Sequence, residues 1–252
     1  MAIIAIANQK GGVGKTTIAF NLAKGLAKRQ YKTLAIDNDP QGNLTGAFLD
    51  NPTTLRADIL NIYEKDIPKL APHPIDKNLS LIGANIHLSK IADSDFEVIF
   101  KLKEGLEPIK EMHDFILIDC LPSFGYLNMA ALNAADFVLI PTKPAPFAFM
   151  GLKDLFDTID KAQRRLNKGL KVIGIVLNFV EGRKTTMGSE LEDVLRSSYK
   201  DLVFQTRLNK AIKLEESPSF SQSIMEYDPK GKTSHQFKEL IDEFLRRYDE
   251  KG

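Results

Sequence analysis

One glycine-rich run constrains the possible folds of this chain more than any other feature: residues 8–17 read NQKGGVGKTT. The run follows apolar residues 2–7 and leads into residues 16–29, where apolar side chains recur at helical spacing. A turn of this kind, between a buried strand and a helix, points backbone N–H groups inward at the positive end of the helix dipole. The run therefore predicts a phosphate-binding loop, in which Lys15 neutralises the phosphates and the Thr16 hydroxyl ligates Mg²⁺.

The loop departs from the general pattern G-x-x-x-x-G-K at its beginning. Gln9 stands at the position of the first glycine, and a second lysine, Lys10, lies inside the loop. Taken alone, Lys10 has two interpretations, a solvated surface charge or a second cation acting on the phosphates. The nucleotide-binding residues predicted in the loop are Lys10, Gly11, Gly12, Val13, Gly14, Lys15, Thr16 and Thr17.

Several short runs are apolar throughout rather than alternating between apolar and polar residues. They lie at residues 2–7, 33–36, 115–118, 137–140 and 172–177. Because strands buried on both faces have this composition, the runs predict a parallel sheet. Stretches with helical spacing occur at residues 16–29, 152–166 and 234–248. The pattern predicts an α/β fold with a mostly parallel twisted sheet flanked by helices on both faces, the architecture of P-loop NTPases.

The length of 252 residues predicts a single domain over residues 1–252, since α/β domains of this size are common. Residues 51–78 contain four prolines and are expected to mix short helix with loop. The least regular parts are expected near residues 182–188 and 217–233.

Charge and cysteine content exclude several classes of function. The 34 Lys and Arg residues nearly balance the 33 Asp and Glu residues, so a nucleic-acid site would have to be a local patch. The single cysteine, Cys120, is expected to be a small buried residue ending a strand. One cysteine excludes an intramolecular disulfide and an iron–sulfur cluster held by two cysteines per subunit, and no Cys/His cluster has the spacing of zinc ligands. No apolar run reaches the ~20 residues that cross a bilayer, and no signal peptide is recognisable, so a cytoplasmic protein is expected.

Three aspartates follow predicted strands. Asp37 and Asp39 lie in the sequence DNDPQGN at residues 37–43, and Asp119 follows the apolar residues 115–118. Ligands of open α/β sheets bind beyond the carboxyl ends of the strands, where carboxylates can hold metal-bound water or orient an attacking water. Asp119 fits a Walker B motif, in which a buried strand delivers one carboxylate to Mg²⁺. The first two aspartates have an alternative interpretation as part of a simple turn.

Residues 10–17, KGGVGKTT, resemble the deviant Walker A motif of the ParA/MinD family of ATPases, and the preceding Asn8 and Gln9 resemble its ParA branch. The resemblance covers nearly the whole chain, is weakest at residues 51–110, and is to the short forms without an N-terminal helix-turn-helix. It implies a homodimer that sandwiches two ATP molecules with Mg²⁺ and hydrolyses them slowly, so that ATP acts as a switch. It also implies that Lys10 reaches across the interface to the phosphates of the other subunit.

Two further motifs carry the resemblance. DNDPQGN matches the family's Asp-x-Asp-Pro-Gln-Gly-Asn, which implies that Asp39 positions the hydrolytic water and that Asp37 supports the metal shell. The family usually continues the Walker B aspartate as Asp-x-Pro-Pro-Ser-x-Gly, whereas here Leu121 replaces the first proline. The predicted catalytic residues are Lys10, Lys15 and Asp39, and the predicted metal-binding residues are Thr16, Asp37, Asp39 and Asp119.

The second half of the chain has less specific matches. Residues 145–152 resemble the segment that enters the dimer-side helix of the family, where Phe147 and Phe149 are either interface or core residues, with core expected. Asn178 lies where the family's strand ends beside the adenine. It therefore either pairs with the base or caps a turn.

Basic residues in two segments are candidates for DNA contacts. Residues 204–230 resemble the C-terminal signature of ParA proteins, in which the positions of Lys210 and Lys213 are usually arginine and help to bind DNA non-specifically. Arg183 and Lys184 are a second candidate pair. On spacing alone, a solvated surface is the alternative interpretation of all four. Lysine keeps the charge that phosphate contacts need but loses the bidentate geometry of arginine.

The resemblance implies a partition or positioning ATPase. Its ATP-bound homodimer would bind non-specific DNA in the nucleoid, and a ParB-like or other cargo-bound activator would trigger hydrolysis and release. The alternative is a MinD-like ATPase that cycles on a membrane, which requires an exposed amphipathic C-terminal helix. Residues 237–248 contain Glu239, Asp242 and Glu243 and are expected to form a packed final helix, so membrane binding is not expected.

Overall fold

The computed structural model describes residues 1–64, 70–92, 94–123, 125–145, 148–180 and 186–251. The strands are β1 (Ala2–Ile6), β2 (Thr33–Asn38), β3 (His73–Asp76), β4 (Leu79–Ile82), β5 (Phe115–Cys120), β6 (Phe137–Thr142), β7 (Lys171–Val180) and β8 (Val203–Asn209). Within the described residues they form one sheet in the order β3-β4-β2-β5-β1-β6-β7-β8. Neighbouring strands are parallel except for the antiparallel pair β3 and β4, which confirms the mostly parallel sheet.

Helices connect the strands and cover both faces of the sheet. They are α1 (Lys15–Lys28), α2 (Asn43–Phe48), α3 (Leu60–Glu64), α4 (Ser89–Ala92), α5 (Val98–Leu106), α6 (Tyr126–Ala134), α7 (Ala148–Arg165), α8 (Thr186–Tyr199), α9 (Ile212–Glu216), α10 (Ile224–Tyr227) and α11 (Lys232–Lys251). Short 3-10 helices lie at Pro52–Thr54, Ile86–Leu88, Lys110–Met112, Lys200–Leu202 and Ser217–Phe220.

The apolar runs form strands because both of their faces are buried. Every residue of β1, β2, β5 and β6 is buried, and alternate side chains of β1 belong to two different hydrophobic clusters. One cluster packs the sheet against α1 and α11 through side chains such as Phe20 and Phe244, and the other packs it against α5, α6 and α7. Cys120 ends β5 as a buried free thiol, as expected.

The structure adds elements that the sequence pattern did not predict. β8 mixes buried, half-buried and exposed residues, so it has no continuous apolar run. β3 contains Pro74, which is tolerated because β3 is an edge strand. The expected irregularity near residues 182–188 is wrong from Thr186 onward, where α8 begins, while residues 181–185 lie outside the described residues.

The final helix packs on the sheet. In α11, Phe237, Leu240, Ile241 and Phe244 are fully buried. This confirms the expected packed helix, and it leaves the apolar face of α11 unavailable to a bilayer. None of the helices in the described residues has the length and apolarity that crossing a membrane requires.

Candidate functional site

The predicted phosphate loop joins β1 to α1 at the carboxyl end of the parallel strands. Gly14 directly precedes α1 and has a φ of 87°, in the left-handed region that favours glycine. The loop lines an open cleft of about 280 Å³. The predicted residues that line this cleft are Gly11, Gly12, Gly14, Lys15, Thr16, Thr17 and Asp39.

Asn178 holds the phosphate loop against the end of β7. Its side chain is fully buried, and its Nδ2 donates a hydrogen bond of 2.9 Å to the carbonyl oxygen of Val13. Its Oδ1 accepts a hydrogen bond of 2.9 Å from the backbone N–H of Phe179. A Cβ on Gly14 would lie 2.1 Å from Asn178 Nδ2, so the loop and the strand end approach this closely only because residue 14 is glycine. Asn178 lies within β7, and pairing of its side chain with a base stays a prediction.

Lys15 lies at the floor of the cleft and is only 7% exposed. Its Nζ donates a hydrogen bond of 3.3 Å to the backbone oxygen of Lys10. Burial lowers the pKa of Lys15, although the nearby carboxylates of Asp119 and Asp39 act in the opposite direction. The structure thus places a buried lysine between a glycine-rich loop and two acids, a position from which it can neutralise bound phosphates.

Thr16 and Asp119 meet across the cleft. The Thr16 hydroxyl donates a hydrogen bond of 2.6 Å to Asp119 Oδ2. Asp119 is buried, and its Oδ1 has no hydrogen-bond partner within the part of the chain that the structure describes. Burial, together with repulsion from Asp37, raises the pKa of Asp119 well above its usual value. A buried oxygen without a partner beside a hydroxyl is a donor set that suits a hard cation such as Mg²⁺.

Asp37 is directed toward α2. It is fully buried, and its Oδ2 accepts hydrogen bonds from the backbone N–H (2.8 Å) and the hydroxyl (2.7 Å) of Thr45. Its Oδ1 accepts a 3.2 Å hydrogen bond from the backbone N–H of Asp39. Burial raises the pKa of Asp37 to about 6, against these hydrogen bonds, which lower it. Asp37 therefore anchors the segment that carries Asp39, and it lies level with Asp119 in the parallel register of β2 and β5.

Asp39 is a buried residue of the cleft, whereas Lys10 is exposed. Asp39 lines the cleft, and its Oδ1 accepts a hydrogen bond of 2.9 Å from the backbone N–H of Gln41. Lys10 is exposed on the outer side of the loop, and its backbone N–H donates to Asn8 Oδ1 over 2.9 Å. The structure therefore brings Lys15, Thr16, Asp39 and Asp119 together and leaves Lys10 at the surface.

Three further residues line the cleft and were not predicted from the sequence: Asn43, Pro122 and Phe179. Asn43 ends the DNDPQGN motif and Pro122 follows the Walker B strand, so their positions in known motifs were available as a signal. Phe179 gave no such signal. It lines the cleft and has a positive φ of 53°, which is uncommon for a residue with a side chain.

The expectation that Phe149 belongs to the core is wrong. Phe149 is 45% exposed on the first turn of α7, where its ring lies 5.8 Å from that of Tyr199, and the adjacent Met150 is 64% exposed. The buried face of α7 is formed by Ala148, Leu152 and Leu155, so Phe149 and Met150 lie on the other side of the helix. Phe147 lies outside the described residues.

The candidate DNA-binding lysines lie after β8. Lys210 is exposed, and Lys213 on α9 is 58% exposed and forms an ion pair of 3.0 Å with Asp228. The backbone N–H of Lys210 donates to the oxygen of Val180 over 3.0 Å, so this segment leaves the sheet beside the end of β7. Arg183 and Lys184, which follow β7 in the sequence, lie outside the described residues.

Comparison with known proteins identifies the family. Residues 1–172 match the family model described as an AAA domain. The sequence is 38% identical to the chromosome partitioning protein ParA of Myxococcus xanthus, over 97% of this chain and 88% of the relative. It is 34% identical to the sporulation initiation inhibitor protein Soj of Bacillus subtilis, over 96% of this chain and 97% of the relative. This chain belongs to the ParA branch of the ParA/MinD family of P-loop ATPases.

A solved structure of a protein with a different name has the same fold. Cobyrinic acid a,c-diamide synthase from Mycobacterium smegmatis, with bound ADP and magnesium, superposes with a TM-score of 0.83 at 26% identity. The match covers 99% of this chain and 96% of that protein. Because one fold hosts many reactions, the likeness supports the architecture and leaves the reaction to be argued from the site.

Proposed function

We propose that this chain is an ATP-hydrolysing switch that serves DNA segregation or cargo positioning. The observation that carries the proposal is the contact of Thr16 with Asp119 beside the buried Lys15, at the mouth of a glycine-rich loop. A loop hydroxyl, a strand-end carboxylate and a loop lysine are the groups that phosphoryl transfer requires for positioning and charge neutralisation. The similarity to ParA and Soj proteins over nearly the whole chain supports the assignment to partition.

Thr16 and Asp119 would hold Mg²⁺, with Asp37 and Asp39 in support. When bound, the ion neutralises charge on the transferring phosphoryl group. No group of three or more His, Cys, Asp or Glu side chains in the described residues could enclose a metal. That suits Mg²⁺, which takes one or two protein oxygens and completes its shell with phosphates and water. The unpaired Asp119 Oδ1 is the oxygen that such a shell would satisfy, directly or through water.

The remaining residues have distinct roles in the proposal. The backbone N–H groups of residues 10–17 bind the phosphates, Lys15 neutralises them, and Asp39 orients the attacking water. Asn178 contributes to nucleotide binding by holding Val13 and the loop in place and by pairing with a base edge. Lys10 contacts the phosphates of the other subunit in an ATP-dependent homodimer, for which its exposed position is suitable.

The ATP-bound homodimer would bind non-specific DNA through Lys210, Lys213, Arg183 and Lys184. Lysine and arginine contacts to the phosphate backbone carry such binding without reading sequence. A ParB-like or other cargo-bound activator would then stimulate hydrolysis and release the dimer from the nucleoid. The exposed Phe149 and Met150 are available for contacts with the other subunit.

A gel-shift experiment on non-specific duplex DNA tests the proposal. The Asp39→Ala variant is used so that the ATP state persists, and apo, ADP and ATP lanes are followed by a salt titration. We expect a shift with ATP alone, which weakens steeply with salt because phosphate contacts release counterions. Adding Lys10→Ala should abolish the shift, whereas Lys168→Ala, at an exposed position on another surface, should not. No shift in any lane, with ATP-dependent dimerisation intact, would contradict the role of DNA.

A further inference from the structure

A polar side chain occupies the variable position between the two acids of the DNDPQGN motif. Asn38 is the last residue of β2 and is fully buried. Its Nδ2 donates a hydrogen bond of 2.9 Å to the backbone oxygen of Leu127, and its Oδ1 accepts one of 2.8 Å from the Tyr63 hydroxyl. Burying an amide is costly unless its polar atoms are paired, and here both ends of the amide have partners. Asn38 thus links three segments of the chain that are distant in sequence.

The first linked segment is α3, which carries Tyr63. The Tyr63 side chain is 4% exposed, and burial raises the pKa of its hydroxyl, so the hydroxyl keeps its proton and acts as the donor. The chain just before α3 is fixed to the end of β4, since the backbone N–H of Ile59 donates to Gly83 O (2.8 Å) and that of Gly83 donates to Ala57 O (2.9 Å). The helix that carries the Tyr63 hydroxyl is therefore fixed to the sheet next to Asn38.

The second linked segment is the first turn of α6, which follows the loop after Asp119. Leu127 lies in this turn, and its neighbour Asn128 is bonded through Nδ2 to the backbone oxygens of Leu121 (2.9 Å) and Ser123. The position of Leu127 is thus tied to that of the loop that follows the Walker B strand β5. Asn38 itself lies in the backbone between Asp37 and Asp39, so its amide links the end of β2 to the helix that follows the β5 loop.

We propose that Asn38 is a positioning residue through which the Tyr63 hydroxyl holds the loops after β2 and β5 in register for hydrolysis. The inference rests on the proposed ATPase function. In the described residues the hydrogen bonds of Asn38 and Tyr63 reach neither the phosphate loop nor Lys15, so the network acts on the placement of Asp39 rather than on phosphate binding. Nucleotide affinity and hydrolysis rate should therefore respond differently when it is broken.

The Tyr63→Phe variant tests this separation. It keeps the ring and removes only the donor, which leaves Asn38 Oδ1 buried without a partner. We expect kcat to fall about tenfold because misplaced catalytic groups lose rate steeply, while the Kd for Mg-ATP changes by less than about twofold. The rate is normalised to bound nucleotide, so that loss of folded protein does not count as loss of kcat. The control is Tyr227→Phe, which removes a hydroxyl bond of 3.3 Å to Glu216 at an exposed site and should leave both quantities unchanged.

A double-mutant cycle with Asn38→Leu separates coupling from general damage. Once Asn38 is leucine, the Tyr63 hydroxyl has lost the acceptor through which it acts, so Tyr63→Phe should lower kcat by less than about twofold in that background. Additive losses in the two variants would overturn the inference, as would an unchanged kcat in Tyr63→Phe. If wild-type protein fails to bind Mg-ATP, the proposed function itself fails; if it binds and hydrolyses but the cycle is additive, only the role of Asn38 is refuted.

Hydrogen exchange provides a readout that a purely structural role would not change. In wild-type protein, replacing Mg-ADP by Mg-ATPγS should alter exchange at residues 57–64 together with residues 126–134. In Tyr63→Phe the change at residues 57–64 should disappear, while that at residues 126–134 persists. Unchanged exchange at residues 57–64 in the wild type would contradict the coupling of α3 to the site.

Discussion

Two buried carboxylates in this molecule have opposite environments. Asp119, at the carboxyl end of β5, has one oxygen bonded to Thr16 and one without a partner in the described residues, and its pKa is raised by burial and by Asp37. Glu243, on α11 against β8, accepts hydrogen bonds of 2.8 Å from the backbone N–H groups of both Gln205 and Thr206. It also forms a 3.0 Å ion pair with Arg247. Burial pushes the pKa of Glu243 up, but these bonds outweigh it and hold the pKa below its usual value.

The difference indicates that the Asp119 carboxylate is available to bind a ligand, whereas the Glu243 carboxylate stabilises the fold. A buried carboxylate with an unsatisfied oxygen destabilises the protein until a cation or a proton reaches it. A buried carboxylate with full hydrogen bonding stabilises the charged form and fastens two elements together. Removing the charge from Asp119 should therefore affect chemistry, whereas removing it from Glu243 should affect stability.

The largest effect is expected from Asp119→Asn. The variant keeps an oxygen for Thr16 but loses the charge that would support Mg²⁺, so we expect ATP hydrolysis to fall by about 100-fold or more. The free energy of unfolding of the apo protein should stay constant or rise by about 1 kcal/mol, because a neutral amide replaces a buried carboxyl group whose pKa is raised by burial and by Asp37. Phosphate release and urea unfolding measure the two quantities. A variant that unfolds more easily and still hydrolyses ATP would reverse the assignment of Asp119.

Glu243→Gln should show the opposite behaviour. Its new NH₂ group would face donor N–H groups and its ion pair with Arg247 would be lost, so we expect the free energy of unfolding to drop by about 3 kcal/mol at pH 7. The kcat of the folded protein should be preserved. Glu239→Gln, an exposed position one turn earlier on α11, is the matched control and should change stability by less than about 0.5 kcal/mol. Equal stabilities of the two variants would show that the Glu243 network contributes nothing.

The stability difference between wild type and Glu243→Gln should depend on pH. Because the folded pKa of Glu243 lies below its usual value of 4.5, the stabilisation is complete above that value. It is lost as the pH falls through the lower folded pKa, so the two proteins should converge in acid. Urea midpoints measured at several pH values from neutral to acid would reveal this convergence. A gap that widens toward low pH would show that the folded pKa is raised instead.

The smallest effect is expected for the exposed ion pair of Lys213 with Asp228. Solvent screens such pairs, so Lys213→Ala should change the free energy of unfolding by less than about 1 kcal/mol. Under the proposed function the same change should weaken DNA binding in ATP and reduce the salt slope of binding by about one. Lys168→Ala is the control for both measurements. A stability loss as large as that of Glu243→Gln would show that the exposed ion pair contributes as much to the free energy of unfolding as the buried one.

Much of the fold and of the site could be predicted where the signal is local. The loop at residues 8–17, the apolar runs and the acids that follow them each occupy a few consecutive residues, and strand-turn-helix geometry then fixes their placement. β8 was not predicted, and the burial of the first turn of α7 was predicted wrongly. In both cases the burial of the side chains depends on which element lies beside them. Phe149 is apolar at a helical position, yet nothing in the described residues covers it fully.

Local sequence motifs predicted a phosphate loop, three strand-end acids, a mostly parallel sheet and membership in the ParA family. The tertiary structure decided how these parts are fastened. It pairs Asp37 with Thr45, Asn178 with Val13, and Asn38 with Tyr63. Such contacts depend on strand order and register, which bring together residues far apart in the chain and which no periodicity encodes. For this reason the motifs predicted the chemical groups of the site, whereas the hydrogen bonds that hold these groups in place were found only in the folded protein.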